Sequence, residues 1–135
     1  FCKRVLCTRG HGSYKDTCAL YYLVDQLEEI GDCYKSMCKI VVNEKYAPSK
    51  EIMSLCQNIH AQFNLLHTLF YKFELSKVSE FVDESKSIKN KIERTLSKAR
   101  NKDRQFIVIL RTLADKISNL DSFVVLVKYD PQKQA

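Results

Sequence analysis

Turn formers are scarce in this chain. Three glycines and two prolines serve 135 residues, and tryptophan is absent. That scarcity excludes the many tight connections of a β-sandwich or barrel and favours long helices. No stretch approaches the roughly 20 consecutive apolar residues that span a bilayer. Lys3, Arg4 and Arg9 interrupt any signal-like apolar run, and Phe1 at the first position reads as the start of an excised or processed segment. No glycine-rich loop is available to cradle a phosphate, and no nucleophile has a partnered base, so nothing points to an enzyme. Aromatic residues do not interleave with the basic ones and no recognition motif occurs, so nucleic acid is not expected as a partner.

What is present is ordinary for a globular protein. Hydrophobic residues make up 45% and charged residues 28%, in a length that suits one domain with a core needing no covalent staples. The formal charge of +6 and pI near 9.0 ask for an anionic neighbour, whether phosphate, nucleic acid or an acidic membrane surface. Six cysteines, Cys2, Cys7, Cys18, Cys33, Cys38 and Cys56, all precede residue 57. An even number admits three disulfides in a secreted protein. Cys18, Cys33, Cys38 and Cys56 fall within helical patterns, where a free thiol behaves as a small buried apolar residue. The spacings of Cys2/Cys7 and Cys33/Cys38 match no common zinc site, and on a helix Cys33 and Cys38 point roughly 140° apart. Reduced structural thiols are the first expectation and disulfides the second.

Apolar positions form regular seams. Leu20, Leu23, Leu27, Ile30, Tyr34, Met37 and Val41 step by three and four, as do Ile52, Cys56, Ile59, Phe63, Leu66, Phe70 and Phe73. Phe106, Leu110, Leu113, Ile117, Leu120, Val124 and Val127 repeat the pattern, and Val78, Phe81, Ser85, Ile88, Ile92 and Leu96 make a weaker seam. Such steps place a stripe along one helix face. Ser13, with Asp16 three residues on, resembles a capping box. Tyr46-Ala47-Pro48 breaks the first helix, Ser49 can cap the second, Ser76 the third and Asp103 the fourth. The spacing predicts an all-α chain of four long helices near 13–44, 49–73, 76–100 and 104–129, joined by short connections into an antiparallel up-and-down bundle. Residues 1–12 read as a tail or the end of a preceding element, 13–130 as the bundle, and 131–135 as a C-terminal tail.

Asp25, Glu28 and Asp32 lie at i, i+3 and i+7, so three carboxylates share one side of the first helix, away from its seam. Clustered carboxylates suit hard or borderline cations, and the plainer reading is a solvated face. The stretch Asp25-Gln26-Leu27-Glu28-Glu29-Ile30-Gly31-Asp32 resembles the acidic signature of PhoU-like proteins. The stretch from His67 to Leu96 is similar to the fourth and fifth helices of that fold, and the stretch from Ile109 to Val125 to a second copy of the signature. The resemblance covers about residues 13–129. It implies two three-helix bundles side by side, of which this chain supplies the last four helices and lacks the first two. It also implies iron or zinc bound at Asp25, Glu28 and Asp32. The second copy departs from the pattern: Asp115 falls on Asp25, but Ser118 and Ser122 replace the other carboxylates and Asp121 falls on the glycine. A further likeness, "IGDCYKSMCKIV", is to PhoU-like domains of sodium/phosphate cotransporters. It implies a regulatory domain on the cytoplasmic side, at the inner face of the membrane, whose partner is the transporter's membrane domain or a phosphate-signalling protein.

Gly31 interrupts this helix at a cost of roughly 1 kcal/mol relative to alanine. The expectation is that it lets another helix backbone or a ligand approach closely. The densest basic stretch is Lys86, Lys89, Lys91, Arg94, Lys98, Arg100, Lys102 and Arg104, read either as a solvated face or as a contact for acidic lipid headgroups or an acidic protein. His60 and His67 are seven residues apart on one helix face and complete no ligand motif. Exposed seam surface favours a homodimer, or packing by an absent upstream segment. A second function class stays open: a secreted, cytokine-like helical ligand stapled by disulfides. The two classes predict opposite cysteine chemistry.

Overall fold

The computed structural model describes residues 1–10 and 14–128. The expected cap at Ser13 and the tail from Pro131 onward lie outside the described residues. Among the described residues the chain is all-helical. Its elements in order are α1 (Cys2–Arg9), α2 (Tyr14–Asn43), α3 (Lys50–Tyr71), α4 (Leu75–Lys98), α5 (Asn101–Ser118) and α6 (Leu120–Lys128).

Three of the expected long helices are present, the fourth is split in two, and one helix is added at the start. Cys2–Arg9, expected as a tail or the end of another element, forms a helix that packs on α2. The last long helix is broken at Asn119. Just past it the Ser122 N–H donates to the Asp121 carboxylate, which also accepts the Ser122 hydroxyl at 2.9 Å. Ser, Asn and Asp offer the backbone such local partners, which weakens a helix interior.

Pro48 biases Ala47 away from helical dihedrals, so α2 ends before it and Lys45 turns the chain with φ 48°. The connection is pinned by Tyr46, whose ring packs 5.4 Å from that of Phe106 and whose hydroxyl donates to the Asp103 carboxylate. Burial, and then Asp103, push the Tyr46 phenol well above its ordinary value. Ser49 caps α3 as expected, its hydroxyl accepting from the Ile52 N–H at 3.4 Å. The caps expected at Ser76 and Asp103 are not formed. The Lys77 and Val78 N–H groups already donate to the Glu74 carbonyl, so α4 begins before Ser76. Asp103 lies inside the first turn of α5 and is occupied by Tyr46.

Helix α5 is the centre of the bundle. It packs against α2, α3, α4 and α6, and it buries Phe106, Ile107, Leu110, Leu113, Ala114 and Ile117. Helix α3 packs on α4 and α5 from one side, with Ile52, Leu55, Ile59, Leu66 and Leu69 inward. Helix α2 lies on the other side of α5, and α1 on the far side of α2. Each fully buried Leu, Ile or Phe contributes about 1.5–3 kcal/mol relative to exposure. Helices α2 and α3 run antiparallel, with Tyr34 and Met37 across from residues 56–64 and Leu23 and Leu27 across from residues 63–71. Their backbones do not pack on each other among the described residues, and a groove separates them.

Only one row of the seam drawn along α2 reaches the core. Ala19, Ile30, Met37 and Ile40 are buried with Gln26, whereas Leu27 and Val41 remain 40% and 38% exposed. Leu20, Leu27, Tyr34 and Val41, one position of the heptad, are partly or largely exposed from the first repeat to the last, because α2 turns the side carrying Ala19, Gln26, Ile30 and Met37 inward and packs on α5, not on α3.

One buried polar pair joins α3 to α4. The Gln62 amide donates to Ser85, and Ser85 donates in turn to the Phe81 carbonyl at 2.7 Å. Gln62 Oε1 is buried with no partner among the described residues. An orphaned buried acceptor costs about 1–3 kcal/mol, and the hydrogen bond on its other end returns about 0.5–1.5. Gln62→Leu is therefore expected to raise stability by about 1 kcal/mol in urea unfolding. A fall of that size instead would mean the amide is better satisfied than this geometry allows.

Candidate functional site

The outer face of α2 carries the acidic signature. Its orientation follows from the seam: with Ile30 and Met37 inward, Glu28 stands exposed on the opposite side and Asp32 is exposed toward the edge with α5. Asp25 is half-buried there because α1 crosses it. Lys3, on α1, places its ammonium 2.6 Å from Asp25 and 2.7 Å from Glu28. The two hydrogen bonds, to Asp25 first and Glu28 second, raise the Lys3 pKa well above its ordinary value, and the Lys3 bond holds the Asp25 carboxyl below its own.

Asp32 is set apart from this clasp. It lies at the α2–α5 edge beside Ser36 and Thr112, and its backbone carbonyl accepts the Ser36 hydroxyl at 2.8 Å. The structure therefore joins Asp25 and Glu28 through Lys3 and leaves Asp32 outside. Among the described residues no three His, Cys, Asp or Glu side chains converge in a way that could hold a metal ion. As arranged, the donors fit an ammonium rather than a resident iron or zinc ion, because Lys3 takes the position between the carboxylates. Position along the sequence gave no hint of Lys3, which is 22 residues from Asp25 and reaches it only because α1 folds back.

The second signature copy is dispersed. Asp115 pairs with Lys89 at 3.0 Å, while Asp121 and Ser122 lie beyond the break at Asn119 on a different helix. Glu29, not part of the expected site, pairs with Lys116 and ties α2 to α5.

The basic run does not form one patch. Lys86 pairs with Asp83 at 3.6 Å and Lys102 with Glu44 at 3.4 Å, in addition to Lys89 with Asp115. Lys91, Arg94 and Lys98 step by three and four along another side of α4. They are exposed and pair with no carboxylate among the described residues. All six cysteines are free thiols. Cys18 and Cys38 are exposed, contrary to the expectation of burial within the helical pattern, while Cys33 and Cys56 are half-buried and burial pushes both thiols up. His60 and His67 are exposed along the groove wall, the His67 ring 4.8 Å from that of Tyr71.

At Gly31 an added Cβ would meet no atom within 4 Å. Among the described residues nothing makes the close approach expected there. Comparison of the chain with described protein families, with curated proteins and with solved structures finds no match.

Proposed function

We propose that this chain is a PhoU-like regulatory domain associated with phosphate transport, acting by contact rather than catalysis. One observation carries the reading: the segment Asp25–Asp32 leaves the Glu28 and Asp32 carboxylates exposed on a bundle helix, with Ile30 turned inward. That is the disposition the resemblance implies. Six free thiols are what this reading requires, since a reducing, cytoplasmic setting keeps cysteines unpaired. Lys91, Arg94 and Lys98, unpaired among the described residues, supply a face for an acidic partner, either a transporter's membrane domain with its anionic headgroups or a phosphate-signalling protein.

In this reading the outer face of α2 is a cation face whose present cation is Lys3. Iron or zinc then binds only in competition with that ammonium. Zinc titrated into the wild-type chain and into Lys3→Ala tests this by calorimetry. Removing Lys3 is expected to tighten uptake at least about tenfold, the equivalent of about 1.4 kcal/mol. Glu28→Ala/Asp32→Ala in the same background is expected to abolish it. Equal uptake by all three proteins would end the cation-face reading.

A further inference from the structure

We propose that Cys7 and Cys18 are a peroxide-sensitive dithiol whose disulfide fixes helix α1 on the outer face of α2. Both thiols are exposed, and both line one hollow of about 520 Å³ between the two helices, with Leu6, Tyr14 and Tyr21 around them. The hollow is open to solvent and admits an oxidant as small as hydrogen peroxide to either sulfur. The Tyr14 hydroxyl hydrogen-bonds to Cys18 one turn along α2, so this sulfur is held at the surface.

The register of the two helices brings the thiols together. Gly10, at φ 67°, ends α1, and a Cβ on it would stand 3.4 Å from the Thr17 hydroxyl. At the other end the Lys3 ammonium sits on Asp25 and lies 6.0 Å from the centre of the Tyr21 ring. The stretch from Gly10 back to Lys3 therefore runs antiparallel beside Thr17–Asp25, nearly residue for residue. Cys7 falls within about one helical turn, roughly 5.4 Å, of the level of Cys18. A disulfide holds its Cα atoms about 4.4–6.8 Å apart, and α1 can shift to meet that span because it buries no residue. For Cys18 no other partner is in reach. Cys2 adjoins Lys3 at the level of Asp25, about 10 Å along α2 from Cys18. Cys33 and Cys38 are about 22 Å or more along the same helix, and Cys56 lies beside Tyr34 and Met37, at that far level.

The oxidation balances with peroxide as the only added reagent. One thiolate of the pair attacks hydrogen peroxide and breaks its O–O bond, leaving a sulfenic acid and hydroxide. The other thiolate attacks that sulfur, forming the S–S bond and expelling a second hydroxide. The two thiol protons convert both hydroxides to water, so the sulfurs give up two electrons and the peroxide takes them. In the reduced chain Lys3 is the main tie on α1. The disulfide makes that loosely held cover over the Asp25 end of α2 permanent until a thiol reductant releases it.

Hydrogen peroxide at a few equivalents, added to the reduced full chain, tests the proposal by mass and by alkylation. The chain is expected to lose two hydrogens and two of its six alkylatable thiols. Trypsin, cutting after Arg4, Arg9, Lys15 and Lys35, should then release residues 5–9 joined to residues 16–35. Cys7→Ser and Cys18→Ser, both at exposed positions, should each abolish that link. Cys33→Ser, within the same second peptide, should leave it. In the Lys3→Glu chain, oxidation should raise amide-exchange protection of Cys2–Arg9 at least about tenfold over the reduced form. Six alkylatable thiols after peroxide, a link through other cysteines or between two copies, or sulfinic acid at Cys18 without a link overturns the proposal. Equal protection of α1 in the oxidised and reduced Lys3→Glu chains also overturns it.

Discussion

Leu110→Ala is expected to cost about 2–5 kcal/mol of folding stability, read as a lowered urea midpoint. Leu110 is fully buried on α5, the helix against which α2, α3 and α4 all pack, and it forms part of the groove floor. Truncating it opens a cavity where helices from both sides of the bundle meet, so neither side closes the gap without moving the other. Domains of this kind hold about 5–15 kcal/mol in total, so the loss is a large share. Val108→Ala, at a position on the same helix that is 46% exposed, is the comparison, with an expected change within about 0.5 kcal/mol. If the two substitutions cost the same, α5 is not the centre of the fold.

The second large effect is expected at Lys3→Glu, where helix α1 should lose nearly all protection from amide exchange while α2 beyond Ile30 keeps its own. No residue of α1 is buried, so apolar packing contributes little to its docking, and eight residues are too few for an independent helix in water. The Lys3 clasp on Asp25 and Glu28 is therefore the main tie, and reversing its charge sets three carboxylates together. The pH dependence follows from the same pair. Asp25 titrates below its ordinary 3.8 in the folded chain because of Lys3, so its contribution is present above that value and disappears as pH falls through the lowered one. Lys3 titrates above its ordinary 10.5, so its contribution holds through neutral pH and is lost only as pH rises past the raised value. Hydrogen exchange at neutral pH and again in acid, below the Asp25 transition, reads both. Protection of Cys2–Arg9 that survives Lys3→Glu would show that something other than the clasp docks α1.

Much of the fold was legible in the sequence because its cause is local. Three-and-four spacing sets which residues can share a helix face, and Pro48 with Ser49 sets a boundary that the structure keeps. What spacing cannot carry is which of two apolar faces turns inward. Leu27 and Val41 belong to the same stripe as Ile30 and Met37, yet they end at a groove because α2 packs on α5 rather than on its chain neighbour α3. The caps failed for a related reason: Ser76 and Asp103 are good cap residues, but α4 and α5 each begin earlier, and Tyr46 claims the Asp103 carboxylate. The acidic triplet was legible as a shared face from i, i+3, i+7 spacing alone. Its partner was not, since Lys3 reaches Asp25 only through the fold-back of a helix that periodicity did not reveal.

Native mass spectrometry of the protein purified without reductant, then repeated with it, tests the regulatory-domain account most directly. The account predicts an unchanged chain mass and six alkylatable thiols in both samples, one for each cysteine. A chain six hydrogens lighter before reduction would contradict it, because three disulfides belong to the secreted ligand and not to a contact domain in a reducing compartment.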